Sequence, residues 1–110
     1  MSRALGDVLV VDLTTGLWSG LAAALLGDFG AEVVRVEDTS ARANGAVDRD
    51  GEHPPASRGY LADLAQRNKR SLAVDLGDAA GREILRALVA RADVFVTDLP
   101  AARLAELGCD

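Results

Sequence analysis

Apolar positions along this chain follow two rhythms. Val8, Leu9, Val10, Val11 and Leu13 form a nearly continuous run interrupted only by Asp12, which is how a strand buried on both faces reads. Leu21, Ala22, Leu25, Leu26 and Phe29 then recur at helical spacing. Ser19 is the expected N-cap of that helix and Gly30 the residue that ends it. Residues 32–37 alternate apolar and polar and predict a second strand. Residues 8–37 thus read as a β-α-β unit, whose crossover should be right-handed.

Residues 38–59 break the pattern. They carry Gly45, Gly51, Pro54 and Pro55 with almost no apolar content, and a loop of that length is either functional or disordered. Tyr60, Leu61 and Leu64 predict one or two helical turns. Residues 72–76 predict a third strand. Asp78 is positioned to cap a helix with the stripe Ile84, Leu85, Leu88, Val89 and Ala92. Residues 94–97 predict a fourth strand. Pro100 sits just inside a short last helix carrying Leu104 and Leu107, which Gly108 ends. No internal repeat or low-complexity tract is present. Alternating strands and helices predict one α/β domain over residues 1–110 with a mostly parallel sheet and flanking helices. Ligands of such sheets bind outside the carboxyl ends of the strands. Residues 14–20, 38–59 and 98–100 are the loops expected there.

Composition narrows the function classes. The chain has 110 residues, 49% hydrophobic, 26% charged and only 4% aromatic. Its core must therefore be Leu, Val and Ala, with Trp18, Phe29, Tyr60 and Phe95 as the few large rings. A net charge of −5 argues against nonspecific nucleic-acid binding, because an acidic surface repels phosphate. Gly and charged residues interrupt every apolar run before it reaches the length of a membrane span. The first residues contain no long apolar segment of the secretory type, so a cytoplasmic location is expected. Cys109 is the sole cysteine, which allows no intrachain disulfide and no cysteine metal cluster, and no metal is expected. His53, the sole histidine, lies in a polar loop and reads as solvated, as do Asp48 and Asp50. No Ser-His-Asp or Cys-His set can be assembled.

The run Gln66, Arg67, Asn68, Lys69, Arg70, Ser71 is the main candidate for chemistry. Lys69 is the only lysine, and the other eleven cations are arginines. Such a cluster suits an anionic ligand. It joins a site at the carboxyl ends only if the chain entering the third strand crosses that end of the sheet; otherwise it is a basic turn. A second reading starts from residues 14–20, which open a helix whose backbone N–H groups could receive phosphate. Glu37 and Asp38 end the second strand, where a dinucleotide-binding fold keeps its ribose-binding acid. That alternative, a nicotinamide-dinucleotide-binding domain, lacks G-x-G-x-x-G, and Leu17 and Trp18 put bulk where the backbone would have to approach the ligand.

The order of motifs points further. Val10-Val11-Asp12-Leu13-Thr14, followed by residues 25–37 (Leu-Leu-Gly-Asp-Phe-Gly-Ala-Glu-Val-Val-Arg-Val-Glu), resembles the amino terminus of the class III CoA-transferase family. That family includes formyl-CoA transferase, carnitine CoA-transferase and α-methylacyl-CoA racemase. The resemblance continues through residues 67–76, through Gly81-Arg82-Glu83-Ile84-Leu85, through Ala92-Asp93-Val94-Phe95-Val96, and ends at Leu104 and Leu107-Gly108. It covers nearly the whole chain outside residues 38–59.

The resemblance implies a CoA-binding, Rossmann-like amino-terminal part of a longer enzyme, with acyl-CoA and carboxylic acids as substrates. It also implies a homodimer, or packing against the remainder of a longer chain. The implied CoA contacts are Leu17 and Trp18; Gln66, Arg67, Asn68, Lys69 and Arg70; and Asp98, Leu99 and Pro100. Coenzyme A is the implied ligand. The family's nucleophilic aspartate has no counterpart among these residues, so no catalytic residue is assigned, and a noncatalytic CoA-transferase-like domain is the alternative.

The chain departs from the family pattern at several positions. Ser19-Gly20 replaces Gly-Pro, Asp38 stands where a basic residue is frequent, Asp98-Leu99 replaces Asn-Phe, and Glu106 replaces an arginine. Each carboxylate facing an anionic ligand would cost about 1 kcal/mol at a solvated site.

Overall fold

A computed structural model describes residues 4–40 and 64–110 of the chain. The expected loop beyond residue 40, with His53, Asp48 and Asp50, lies outside the described residues, as do Tyr60 and Leu61. The elements are β1 (Leu9–Leu13), α1 (Leu17–Asp28), β2 (Glu32–Asp38), β3 (Lys69–Val74), α2 (Ala79–Arg91), β4 (Val94–Thr97) and α3 (Ala101–Leu107). The four strands form one wholly parallel sheet in the order β3-β2-β1-β4.

The chain leaves β1 through α1, steps outward to β2 and β3, and returns through α2 to β4 on the other side of β1. That change of direction places α2 on the opposite face from α1, as two crossovers of the same hand require. Val10, Ala23, Ala31 and Val33 pack beneath α1. Val11, Leu13, Val36, Val74, Leu76, Leu85 and Leu107 pack beneath α2 and α3. Alternation along β1 therefore divides two cores, and both sides of the strand are buried, as its apolar run predicts.

Several local expectations are corrected. The N-cap of α1 is Gly16, not Ser19; the Ser19 hydroxyl, one turn in, serves another partner. β3 begins at Lys69 and ends at Val74, earlier at both ends than residues 72–76. Its first residues pair with Val33, Val34 and Arg35, and an edge strand tolerates the charge they carry. Asp78 is the N-cap of α2 but makes no side-chain cap bond. Ile84 is 51% exposed and stands off the α2 stripe, where Leu85 is buried and Leu88, Val89 and Ala92 pack on the core. Pro100 is the N-cap of α3, one position before the helix.

Other signals map directly. Gly30 adopts φ 105° after α1. Its N–H donates to the Gly27 carbonyl at 3.0 Å and the Ala31 N–H to the Leu26 carbonyl at 3.1 Å, which together make a Schellman ending. Gly108 closes α3 at φ 75°. Gly81 lets α2 lie against the end of β3: a Cβ there would fall 1.9 Å from the Asp75 carbonyl oxygen.

Candidate functional site

In a parallel sheet ordered β3-β2-β1-β4, the chain changes direction between β1 and β4, and the carboxyl ends of these two strands mark the switch point at which such sheets hold their ligand crevice. The β1–α1 and β4–α3 loops flank it. Leu17, Trp18, Asp98, Leu99 and Pro100 all lie in these loops or the first turn beyond them. Leu17 is half-buried and Trp18 is 79% exposed. The Leu99 side chain packs on the α2 and α3 core, and its N–H donates to Thr97 Oγ1 at 3.1 Å.

Asp98 ties the two loops together. Its carboxylate accepts from the Thr15 N–H at 2.9 and 3.0 Å, from the Gly16 N–H at 2.6 Å, from Ser19 Oγ at 2.6 Å and from Thr15 Oγ1 at 3.2 Å. A Cβ on residue 16 would sit 3.1 Å from Asp98 Oδ2, so the absence of a side chain there gives the carboxylate its close approach. Partial burial pushes the Asp98 carboxyl up, but the bonds from Ser19, Thr15 and Gly16 outweigh it and hold the group below the usual carboxylate range.

Residues 66–70 arrive at the other end. They enter β3, so they sit at the amino ends of the strands, beside the carboxyl terminus of α1. Arg67 Nη2 is 2.7 Å from Asp28 Oδ2, Arg67 Nε donates to the same carboxylate at 3.2 Å, and Asn68 Nδ2 donates to Asp28 Oδ1 at 2.7 Å. The Arg67 bond, with its charge, holds the Asp28 carboxyl low and the Arg67 guanidinium high. Asn68 takes φ 62°, a left-handed conformation that Asn tolerates. Gln66 is half-buried. Arg70 is exposed and meets Glu32 at 3.1 Å.

Lys69 alone reaches back toward the crevice. Its side chain runs under α1, and Nζ donates to Asp12 Oδ2 and to the Gly20 carbonyl at 2.8 Å. Thr14 Oγ1 donates to the other Asp12 oxygen at 2.6 Å. The Lys69 ammonium is thus committed inside the fold, directly below the first turn of α1. The structure therefore brings together Leu17, Trp18, Asp98, Leu99 and Pro100, and separates Gln66, Arg67, Asn68 and Arg70 from them.

Sequence reasoning missed Asp12, Thr15, Gly16 and Ser19 as the polar framework of this end. One signal was available: a lone carboxylate inside the buried run of β1, in a chain with a single lysine, calls for a partner. Asp38 and Glu37 are likewise engaged. Asp38 Oδ1 accepts from the Ser40 and Leu76 N–H groups at 2.9 and 3.1 Å, Arg103 stands 3.7 Å from Asp38 Oδ2, and Glu37 pairs with Arg35 at 2.7 Å. Among the described residues, no three His, Cys, Asp or Glu side chains converge as metal ligands. No helix among them is long and apolar enough to cross a membrane.

The profile of CoA-transferase family III matches residues 5–110. The chain belongs to that family. It is 39% identical over 109 residues to the succinyl-CoA:mesaconate CoA-transferase of Haloarcula hispanica, covering 96% of this chain and 27% of that protein. It is 36% identical over 110 residues to the human succinyl-CoA:glutarate CoA-transferase, covering 96% of this chain and 24% of that protein. A crystal structure of a CAIB/BAIF family protein from Brucella suis superposes with a TM-score of 0.74 at 28% identity, over 100% of this chain and 29% of that one. The family III chain thus spans about a quarter of the length of the curated relatives it matches. Family membership agrees with the motif order along β1, α1, β2 and β3, and the wholly parallel sheet agrees with the expected α/β class.

Proposed function

We propose that this chain forms the Rossmann-like, amino-terminal part of the CoA pocket of a cytoplasmic enzyme that moves CoA between carboxylic acids. The observation that carries this reading is the family III match over residues 5–110. In the proposed reaction an aspartate outside these residues attacks the acyl thioester carbonyl. A mixed anhydride forms and the CoA thiolate leaves. The thiolate then attacks the aspartyl carbonyl, giving an enzyme thioester and releasing the first carboxylate. The acceptor carboxylate attacks that thioester and expels the thiolate again. The thiolate finally takes the acyl group from the new anhydride and restores the aspartate.

Leu17, Trp18, Leu99 and Pro100 supply the apolar wall of the crevice in this reading, with Asp98 fixing the loops that carry them. Lys69 acts from beneath as the support of the first turn of α1. Arg67 and Asn68 contribute by anchoring the start of β3 to α1 through Asp28, and Arg70 by pairing with Glu32 of β2, at the far end from the crevice, where Gln66 also lies. The reading includes no metal. It includes a homodimer or packing against further chain, supported by an apolar stripe on the outer face of α1: Trp18, Ala22, Leu25 and Phe29 are all exposed and share one side of the helix.

Calorimetric titration with CoA, dephospho-CoA and NADH tests the ligand. CoA is expected to bind, and NADH is not. No CoA binding, or a preference for NADH, would overturn the reading. Exchange of label between a CoA thioester and a free acid tests the division of labour: the 110 residues alone are expected to show none. Turnover by them, abolished by a point change within them, would place a nucleophile inside the chain.

A further inference from the structure

We propose that Asp98 is the resident anion of the amino terminus of α1, and that it decides which anions this end of the sheet accepts. A helix amino terminus offers unpaired N–H groups and a partial positive charge, and in many α/β proteins a ligand phosphate takes that seat. Here the turn that leads into that seat, Thr15 and the N-cap Gly16, is filled from within. Four donor groups, the N–H and hydroxyl of Thr15, the N–H of Gly16 and the hydroxyl of Ser19, all point at one carboxylate from the far side of the crevice. That carboxylate is 79 to 83 residues away in sequence, so the contact is tertiary and not an ordinary local cap.

Two consequences follow from the geometry. A phosphate cannot sit on these donors while Asp98 holds them, because it would meet both the bulk and the charge of the carboxylate. Ligands that need the Thr15 and Gly16 N–H groups for a phosphate, as mononucleotides and dinucleotides use the first βα turn in open α/β sheets, are turned away. The carboxylate that sequence comparison counts against an anionic ligand is also spent internally, since its charge faces four donors. Asp98 is therefore a positioning and specificity-determining residue: it fixes the β1–α1 loop to the β4–α3 loop and reserves the crevice for a ligand whose phosphates lie elsewhere. The last of these steps rests on the CoA reading above; the occupancy of the seat does not.

Chemical rescue tests the occupancy. Asp98→Ala vacates the seat, and formate is a carboxylate small enough to enter it. The variant is expected to melt lower by about 5 °C or more in sodium chloride. Sodium formate at matched ionic strength should recover a large part of that drop with a saturating dose response, leaving the parent protein unaffected. Inorganic phosphate should bind the variant, compete with formate, and not bind the parent.

A variant that is unfolded in chloride and regains a cooperative melt in formate supports the proposal equally. A variant that responds to formate no more than the parent does overturns it. Asp98→Asn gives a readout free of the folding question, since the amide keeps an acceptor oxygen in place. Its Thr15 and Gly16 amide protons should move upfield as the charge-assisted bonds weaken, and unchanged shifts would also overturn the proposal. CoA titration of the parent is scored separately. Rescue without CoA binding removes the CoA reading and leaves Asp98 in its role; CoA binding without rescue does the reverse.

Discussion

Lys69 Nζ and Asp12 Oδ2 lie 2.5 Å apart beneath α1, with side chains only 2% and 0% exposed. Thr14 and the Gly20 carbonyl complete the arrangement, so each charge is paired and hydrogen-bonded out of water. Removing one member strands the other. We expect Lys69→Ala to cost about 3–5 kcal/mol, a large share of the about 5–15 kcal/mol that a domain has in total. The double change Asp12→Leu with Lys69→Met should recover most of it, because burying no charge is cheaper than burying one alone. Urea unfolding of the two single variants and the double variant decides the matter. Additive losses would show that the two residues are not coupled.

The pH dependence follows from two carboxyls. Asp28 is held low by Arg67 and Asn68, and Asp98 by Ser19, Thr15 and Gly16 against the opposing effect of burial. Both are more acidic in the fold than in the unfolded chain, so the unfolded state binds more protons as pH falls. The stability they contribute is whole above the unfolded value of about 3.9 and is lost as pH drops through the folded values. Parent protein should thus be more stable than Asp98→Asn or Asp28→Asn at pH 7, and the gap should close as pH falls below the unfolded value and through the folded ones. A gap that stays constant over that range would assign the effect to shape and not to charge.

Gly81 answers for the packing of α2. A methyl group there would overlap the Asp75 carbonyl, and backbone at the end of a strand has little room to retreat. Gly81→Ala is expected to destabilise by about 1–3 kcal/mol although alanine is the better helix former by about 1 kcal/mol. Thermal melting of the variant checks the sign. A stabilised variant would mean that α2 shifts freely over β3.

Much of this architecture is legible in the residues themselves. The nearly continuous run of β1 and the helical recurrence before Gly30 locate the first β-α-β unit, because burial on both faces and a left-handed glycine leave plain marks. What escapes is whatever depends on residues distant in sequence. Ser19 has the chemistry of an N-cap, but Asp98, 79 residues on, claims its hydroxyl. Residues 66–70 carry the densest positive charge in the chain, yet a charge run does not say which end of a sheet it reaches. Parallel pairing of β3 with β2 takes Arg67 and Asn68 to Asp28, and only the length of the Lys69 side chain returns a cation toward the crevice. Ile84 fits the helical stripe by spacing and still faces outward, since α2 turns Leu85 and not its neighbour to the core.

The outer face of α1 makes the strongest case for association. No charged residue occurs between Leu17 and Gly27, so the helix is apolar toward solvent as well as toward the sheet. Trp18 is 79%, Leu25 47% and Phe29 61% exposed, and with Ala22 they fall at spacings of 4, 7 and 11 residues from Trp18, on one side of the helix. An isolated exposed leucine is ordinary, but a continuous stripe with two large rings is the kind of patch that marks a contact surface. The polar alternative costs little here, since a solvated helix face accepts Glu or Lys without penalty, so apolar side chains at three such positions indicate cover. The 110-residue chain is therefore expected to self-associate, with light scattering showing mass rising with concentration. Leu25→Glu with Phe29→Lys should shift it toward a monomer without lowering its melting temperature at high dilution, because neither side chain supports the core. A parent chain that stays monomeric at high concentration, with a cooperative and concentration-independent melt, would show that the stripe tolerates water and that α1 needs no partner.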